Sequence, residues 1–243
     1  MKKLSFLTVL ALAGFTAVAQ DNGTTGMGNT TRPLRTEMAT QPRFGLRGGV
    51  NFANIEFDDD FQGATYSTNA KTSFQIGAFV NIPVGTTFRI QPELSYVGFG
   101  AKVNGPSIYA PSTTNNNYQY EFDAHYLALP VMFQLHTGSN GFFFEAGPQV
   151  SYLISSNEQS EGGQSTNIDV NLRERKLVKK TDFALAAGLG YVTRIGLGIN
   201  ARYVHGVSNI FDAEGNLDPQ RANREISNRG IQLGLVYHFG AYK

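Results

Sequence analysis

The sequence predicts an all-β chain, an eight-stranded antiparallel up-and-down transmembrane β-barrel with short periplasmic turns and long extracellular loops. Three observations carry this expectation. Eight segments alternate apolar and polar residues with period two, the ions within them fall on the polar face, and connections alternate between short and long. Composition agrees, because only 16% of the 243 residues are charged, below the roughly 25% of soluble domains. A net charge of +1 offers no field for nucleic acid. The chain has no Cys, which excludes disulfides, thiolate metal sites and a lipid-anchored N-terminal Cys.

The N-terminus reads as an export address. Lys2 and Lys3 precede an apolar run over residues 4–15, and Ala17-Val18-Ala19 gives a small-x-small cleavage site. Residues 1–19 are therefore expected to be a signal peptide, with Gln20 opening the mature chain. Residues 20–42 are rich in Gly, Thr and Asn, lack an apolar period and read as a flexible leader. The barrel domain is expected over 43–243. No later apolar stretch is long enough for a membrane helix, so a spanning structure must be a closed barrel.

The strands follow in order. The first sets Phe44, Leu46, Val50 and Phe52 against Arg47 and Asn51. The second sets Phe74, Ile76, Ala78, Val80 and Ile82 against Gln75, Gly77 and Asn81. The third opposes Phe88, Ile90, Pro92, Leu94 and Tyr96 to Arg89, Gln91, Glu93 and Ser95. In the fourth, Leu127, Leu129, Val131, Phe133 and Leu135 face away from Tyr126, Ala128, Met132 and Gln134. The fifth places Phe142, Phe144, Val150 and Tyr152 opposite Glu145, Gln149 and Ser151. The sixth pairs Phe183, Leu185 and Leu189 with Asp182 and Arg194 on the other side. The seventh carries Leu197, Ile199 and Tyr203 against Asn200 and Arg202, and the last Ile231, Leu233, Leu235, Tyr237 and Phe239 against Gln232, Gly234 and His238.

A charge facing lipid costs roughly 2–4 kcal/mol for Arg or Lys near the midplane, and these eight apolar faces carry none. A soluble sandwich alternates as well, but studs its exposed face with Lys and Glu. Here the polar face is mostly Gly, Ser, Asn and Gln, suited to a narrow lumen filled by small residues and a salt-bridge network. That network is expected to comprise Arg47, Arg89, Glu93, Glu145, Asp182, Arg194 and Arg202. Tight links follow the second, fourth and sixth strands, and long polar links follow the others. Aromatics gather near strand ends, as interfacial girdles would place them. Tyr118, Tyr120 and Phe122 alternate out of phase with Leu127 onward, so a bulge is expected near residues 123–125. Pro92, Pro130 and Pro148 interrupt strands and each removes a ladder hydrogen bond.

The segments Gly48-Gly49-Val50-Asn51, Gln91-Pro92-Glu93-Leu94-Ser95-Tyr96, Tyr126-Leu127-Ala128-Leu129-Pro130, Ala146-Gly147-Pro148 and Ala201-Arg202-Tyr203 resemble, in order and spacing, the PorT-like outer-membrane β-barrel family. The resemblance covers roughly residues 43–239 and implies an outer-membrane barrel in which the strand prolines belong to the pattern. It implies no dependable activity. Gln232, Gly234, Tyr237 and Phe239 look like the C-terminal signal read by the barrel-assembly machinery, here followed by four further residues.

The remaining chemistry is sparse. His125, His136, His205 and His238 have no ligand-like spacing, and neither a metal nor a cofactor is expected. Asp58-Asp59-Asp60 could hold a hard cation but lacks the rest of a known loop. Arg173, Arg175, Lys176, Lys179 and Lys180 form a basic cluster that could meet lipopolysaccharide phosphates at the outer rim, or simply be solvated. For hydrolysis, His205 with Ser208, or His125 with a loop Ser, is the best available arrangement, and neither has a supporting motif. The expectation is a non-enzymatic, monomeric envelope protein with a filled lumen, acting as a structural or surface-contact component. Its partners would be outer-membrane lipids and the assembly machinery. A soluble lipocalin-like binder, a lipid-modifying enzyme and a narrow channel are the alternatives.

Overall fold

The computed structural model describes residues 41–57, 67–105, 118–137, 141–161, 169–171, 178–210 and 226–240. Outside them lie the expected signal peptide, most of the leader, Asp58-Asp59-Asp60, Arg173, Arg175 and Lys176. The strands are β1 (Arg43–Phe57), β2 (Ser67–Pro83), β3 (Phe88–Gly105), β4 (Tyr118–His136), β5 (Phe142–Glu161), β6 (Asp169–Asn171), β7 (Thr181–Val192), β8 (Leu197–Gly206) and β9 (Ile226–His238). Each wall strand pairs antiparallel with its neighbours, and β1 pairs with both β2 and β9, so the sheet closes on itself. The wall is therefore an eight-stranded antiparallel barrel. The ninth strand, β6, is a three-residue addition against Asn157–Gln159 of β5, too short to leave a sequence period.

The apolar rows face outward. Phe44 is 65% exposed, Leu129 51% and Leu235 60%, and corresponding positions on every wall strand behave alike. A soluble lipocalin would bury these rows. Exposed aromatics ring the barrel at two heights, with Phe88, Phe133 and Phe142 near the short turns and Phe52, Phe74, Tyr152 and Tyr203 toward the long links.

The long-link end departs from the expected pattern. A membrane strand needs only about 9–11 residues, whereas β3, β4 and β5 have 18, 19 and 20. Where they outgrow the apolar belt, the chemistry of the faces inverts while the alternation continues. On β3 the inward positions run Gln91, Glu93, Ser95 and then Val97, Phe99, Ala101, Val103, while the outward ones run from Leu94 and Tyr96 to Lys102 and Asn104. Above the belt the outside meets water, so apolar side chains move inside as in any soluble barrel. Phe122 and Tyr126 are accordingly buried, inside a cluster with Ile55, Phe99, Leu153, Val178 and Ile226.

The bulge expected near residues 123–125 is present in the β4–β5 ladder, but its extra residue lies on β5 and the phase of β4 does not change. β4 keeps one phase from Glu121 to Leu135, and Phe122 shares the inward face with Ala124 and Tyr126. The register shift lies on the partner strand, where His125 pairs with Ser155 and Tyr126 with Leu153, leaving Ile154 as the extra residue of β5. A second shift gives β2 an extra residue between Ala70 and Gln75. The prolines act differently. Bridging lapses beside Pro92 on β2–β3, opposite Pro130 on β3–β4 and beside Pro148 on β4–β5, and resumes each time in the same register. Each missing N–H opens a local gap without slipping the strand.

Candidate functional site: the barrel lumen

Inward positions of β1, β2, β3, β4, β5 and β8 converge on one buried polar network. Glu93 sits at its centre, its side chain 0% exposed. It accepts Arg47 Nη1 at 2.6 Å, Arg202 Nη1 at 3.0 Å and Nη2 at 2.8 Å, and Gln91 Nε2 at 2.8 Å. Arg202 also donates Nε to Glu145 Oε1 at 2.9 Å. Its fork thus spans two carboxylates, a geometry a lysine could not reproduce. Two cations and two anions balance, which is what allows ions to remain buried here.

Amides extend the network toward the short turns. Gln134 donates to Glu145 at 3.1 Å, Asn81 donates to Gln91 and to Gln134 at 2.8 Å each, and Arg89 donates to Asn81 at 2.9 Å. Two rings also point into the lumen. Phe79 packs edge-on against His238 with centroids 4.8 Å apart, and Phe143 stacks with His136 at 5.2 Å. A Cβ on Gly45 would overlap the Phe79 ring, and one on Gly190 the Phe143 ring, so these glycines are what admit inward phenylalanines.

Of the residues expected in the network, Arg47, Glu93, Glu145 and Arg202 come together in direct contact, and Arg89 joins through Asn81. Asp182 faces inward nearer the long links. There it accepts from Ser208 Oγ at 2.7 Å and Asn228 Nδ2 at 2.8 Å, apart from the clamp. Arg194 is a correction, since it is exposed in the turn between β7 and β8. The alternation that assigned it inward ends at Val192, where the strand stops. Sequence reasoning did not single out Asn81, Gln91 and Gln134 as linkers, nor Phe79 and Phe143 as lumen rings. Inward parity was the available signal for all five, since Phe79 shares the face of Gln75 and Asn81, and Phe143 that of Glu145.

Elsewhere, Gln232 is buried on the inward face, Gly234 is half-buried, and Tyr237 and Phe239 are exposed on the outer wall with rings 5.3 Å apart. Lys179 and Lys180 are exposed at the long-link end. On the outer wall Lys71 bridges Glu121 at 2.8 Å and Asp123, and this hydrogen bonding holds the Glu121 carboxyl below its usual range. Among the described residues the catalytic alternatives are not assembled. The Ser208 hydroxyl is given to Asp182, His205 stacks on Tyr203, and His125 stacks on Tyr96. Among the described residues no three His, Asp or Glu side chains gather as a metal site would require.

A closed eight-stranded wall with an apolar exterior and a buried ionic interior defines an integral outer-membrane barrel. The outer membrane protein beta-barrel domain matches residues 30–212, and the chain belongs to that family. It is similar in structure to Ail, the attachment invasion locus protein of Yersinia pestis, solved with the heparin analogue sucrose octasulfate (12% identity, TM-score 0.44, 82% of this chain and 100% of that one). Neisserial surface protein A is similar as well (10% identity, TM-score 0.42, 81% and 97%). So is OprG from Pseudomonas aeruginosa (13% identity, TM-score 0.42, 83% and 98%). No curated protein sequence matches the chain.

Proposed function

We propose that the protein is a monomeric, non-catalytic envelope component whose barrel is sealed and whose long-link end makes its contacts at the cell surface. The clamp of Arg47, Glu93, Arg202 and Glu145 across the lumen carries this reading. Its charges pair with one another, between the Phe79 and Phe143 rings and the apolar cluster around Phe99 and Phe122. An eight-stranded barrel encloses only enough space for side chains or one small ligand. In this reading the short turns face the periplasm, residues 1–19 are removed on export, and the PorT-like pattern marks the branch of the family. The assembly machinery reads the β9 signal, and Lys179 and Lys180 meet lipopolysaccharide phosphates.

Planar-bilayer recording on the purified full chain tests the central claim. A sealed lumen gives a silent bilayer, with conductance only after the clamp is cut down, as in Arg47→Ala with Arg202→Ala. Discrete steps from the unaltered protein would overturn it.

A further inference from the structure

A cleft of about 380 Å³ opens on the outer wall where β8, β9 and β1 leave the apolar belt, lined by Glu56, His205, Val207, Asn209, Ser227 and Arg229 among others. Its volume falls within the roughly 300–1,000 Å³ of small-ligand sites. The pairing fixes its height. Tyr203 pairs with Ile231 in the outermost exposed apolar row, and His205 pairs with Arg229 two residues further along. For tilted strands two residues advance about 5 Å along the barrel axis. The cleft therefore stands where hydrocarbon gives way to headgroups. Val207 is 58% exposed at its edge, an apolar contact for whatever lies alongside.

The groups in the cleft are mixed in kind. Arg229 is ion-paired through Nη2 to Glu56, while its Nε is buried with no hydrogen-bond partner among the described residues. The ion pair is half-exposed, and its carboxylate keeps further lone pairs for an incoming donor. The His205 ring, stacked nearly parallel to Tyr203 with an interplanar angle of 18°, lines the cleft. The charges of Glu56 and Arg229 cancel. A phosphate would meet the carboxylate as a repulsive neighbour. Hydroxyl groups, each both donor and acceptor, suit the half-exposed guanidinium and carboxylate together, and a sugar ring presents several of them beside an apolar face.

We propose that this cleft binds a sugar ring of an outer-leaflet glycolipid headgroup. The site goes beyond the sealed-lumen reading and is independent of it, since a conducting barrel would keep the same outer wall. The same sugar could arrive lipid-attached or free, so the test has two arms. Full-length protein is reconstituted in nanodiscs of phosphatidylcholine with lipopolysaccharide, then exchanged into lipid-free detergent and read by native mass spectrometry. The wild type is expected to retain one glycolipid. Ser227→Tyr, which fills the cleft, should lower retention at least tenfold, and Glu56→Gln several-fold, with folding of both verified by heat-modifiable gel mobility. In the second arm, the lipid-free saccharide released from the same glycolipid should compete. Equal retention by Ser227→Tyr overturns the proposal, as does displacement by inorganic phosphate without displacement by the saccharide.

Discussion

Removing the Glu93 carboxylate tests whether the clamp holds the barrel together. Three of the four hydrogen bonds that Glu93 accepts come from guanidinium groups, at 2.6, 2.8 and 3.0 Å. Hydrogen bonds to charged groups contribute about 1.5–3 kcal/mol each, and breaking a buried pair costs about 3–5 kcal/mol because a charge is left uncompensated. In Glu93→Ala, Arg202 keeps Glu145, whereas Arg47 loses its carboxylate partner. The expected loss is therefore at the upper end, about 4–5 kcal/mol, read from urea unfolding in micelles followed by gel mobility. Glu121→Ala is the reference. Its partner Lys71 is on the partly solvated outer wall, where an ion pair is worth at most about 1 kcal/mol. Replacing all four clamp residues together (Arg47→Met, Glu93→Leu, Glu145→Met, Arg202→Leu) should recover much of the loss, since no ion is then stranded. A single variant within about 1 kcal/mol of wild type, or a fourfold variant no better than the single one, would refute the reasoning.

Two further expectations concern the wall. Leu129→Arg puts a guanidinium against lipid at a cost of roughly 2–4 kcal/mol, whereas Gln134→Arg points inward beside Glu145. Folded yield in bilayers should fall further for the first, and equal insertion would contradict the assigned faces. A Cβ on Gly147 would overlap the Val131 carbonyl oxygen at the ladder gap, whereas one on Gly85 meets nothing within 4 Å. Gly147→Ala should therefore cost at least about 1–3 kcal/mol, and Gly85→Ala less than about 0.5 kcal/mol, measured by the same unfolding assay.

The wall was legible in the sequence because bilayer and lumen impose opposite chemistry on alternate residues over a fixed height. Leu94 against Glu93, or Leu129 against Ala128, shows the rule position by position. It stopped being legible where the strands leave the bilayer. At Val97 the inward face turns apolar, and a reading that carried one outer environment along the whole strand mistook the phase of Phe122. The clamp was visible as charges of inward parity. Its membership was not, because parity assigns a face and leaves height open, which separates Asp182 from Glu145. Parity also loses meaning past a strand end, as at Arg194.

The unequal strand heights bear on how the protein meets its surroundings. β3, β4 and β5 continue well past the belt, whereas β8 stops at Gly206 and β7 begins only at Thr181. Seven to ten residues beyond a membrane-length strand correspond to roughly 20 Å of rise, so among the described residues the wall stands taller over β3–β5 than over β7 and β8. The proposed cleft beside β8, β9 and β1 and the tall edge over β3–β5 are thus separate places on the wall, and occupying one leaves the other free.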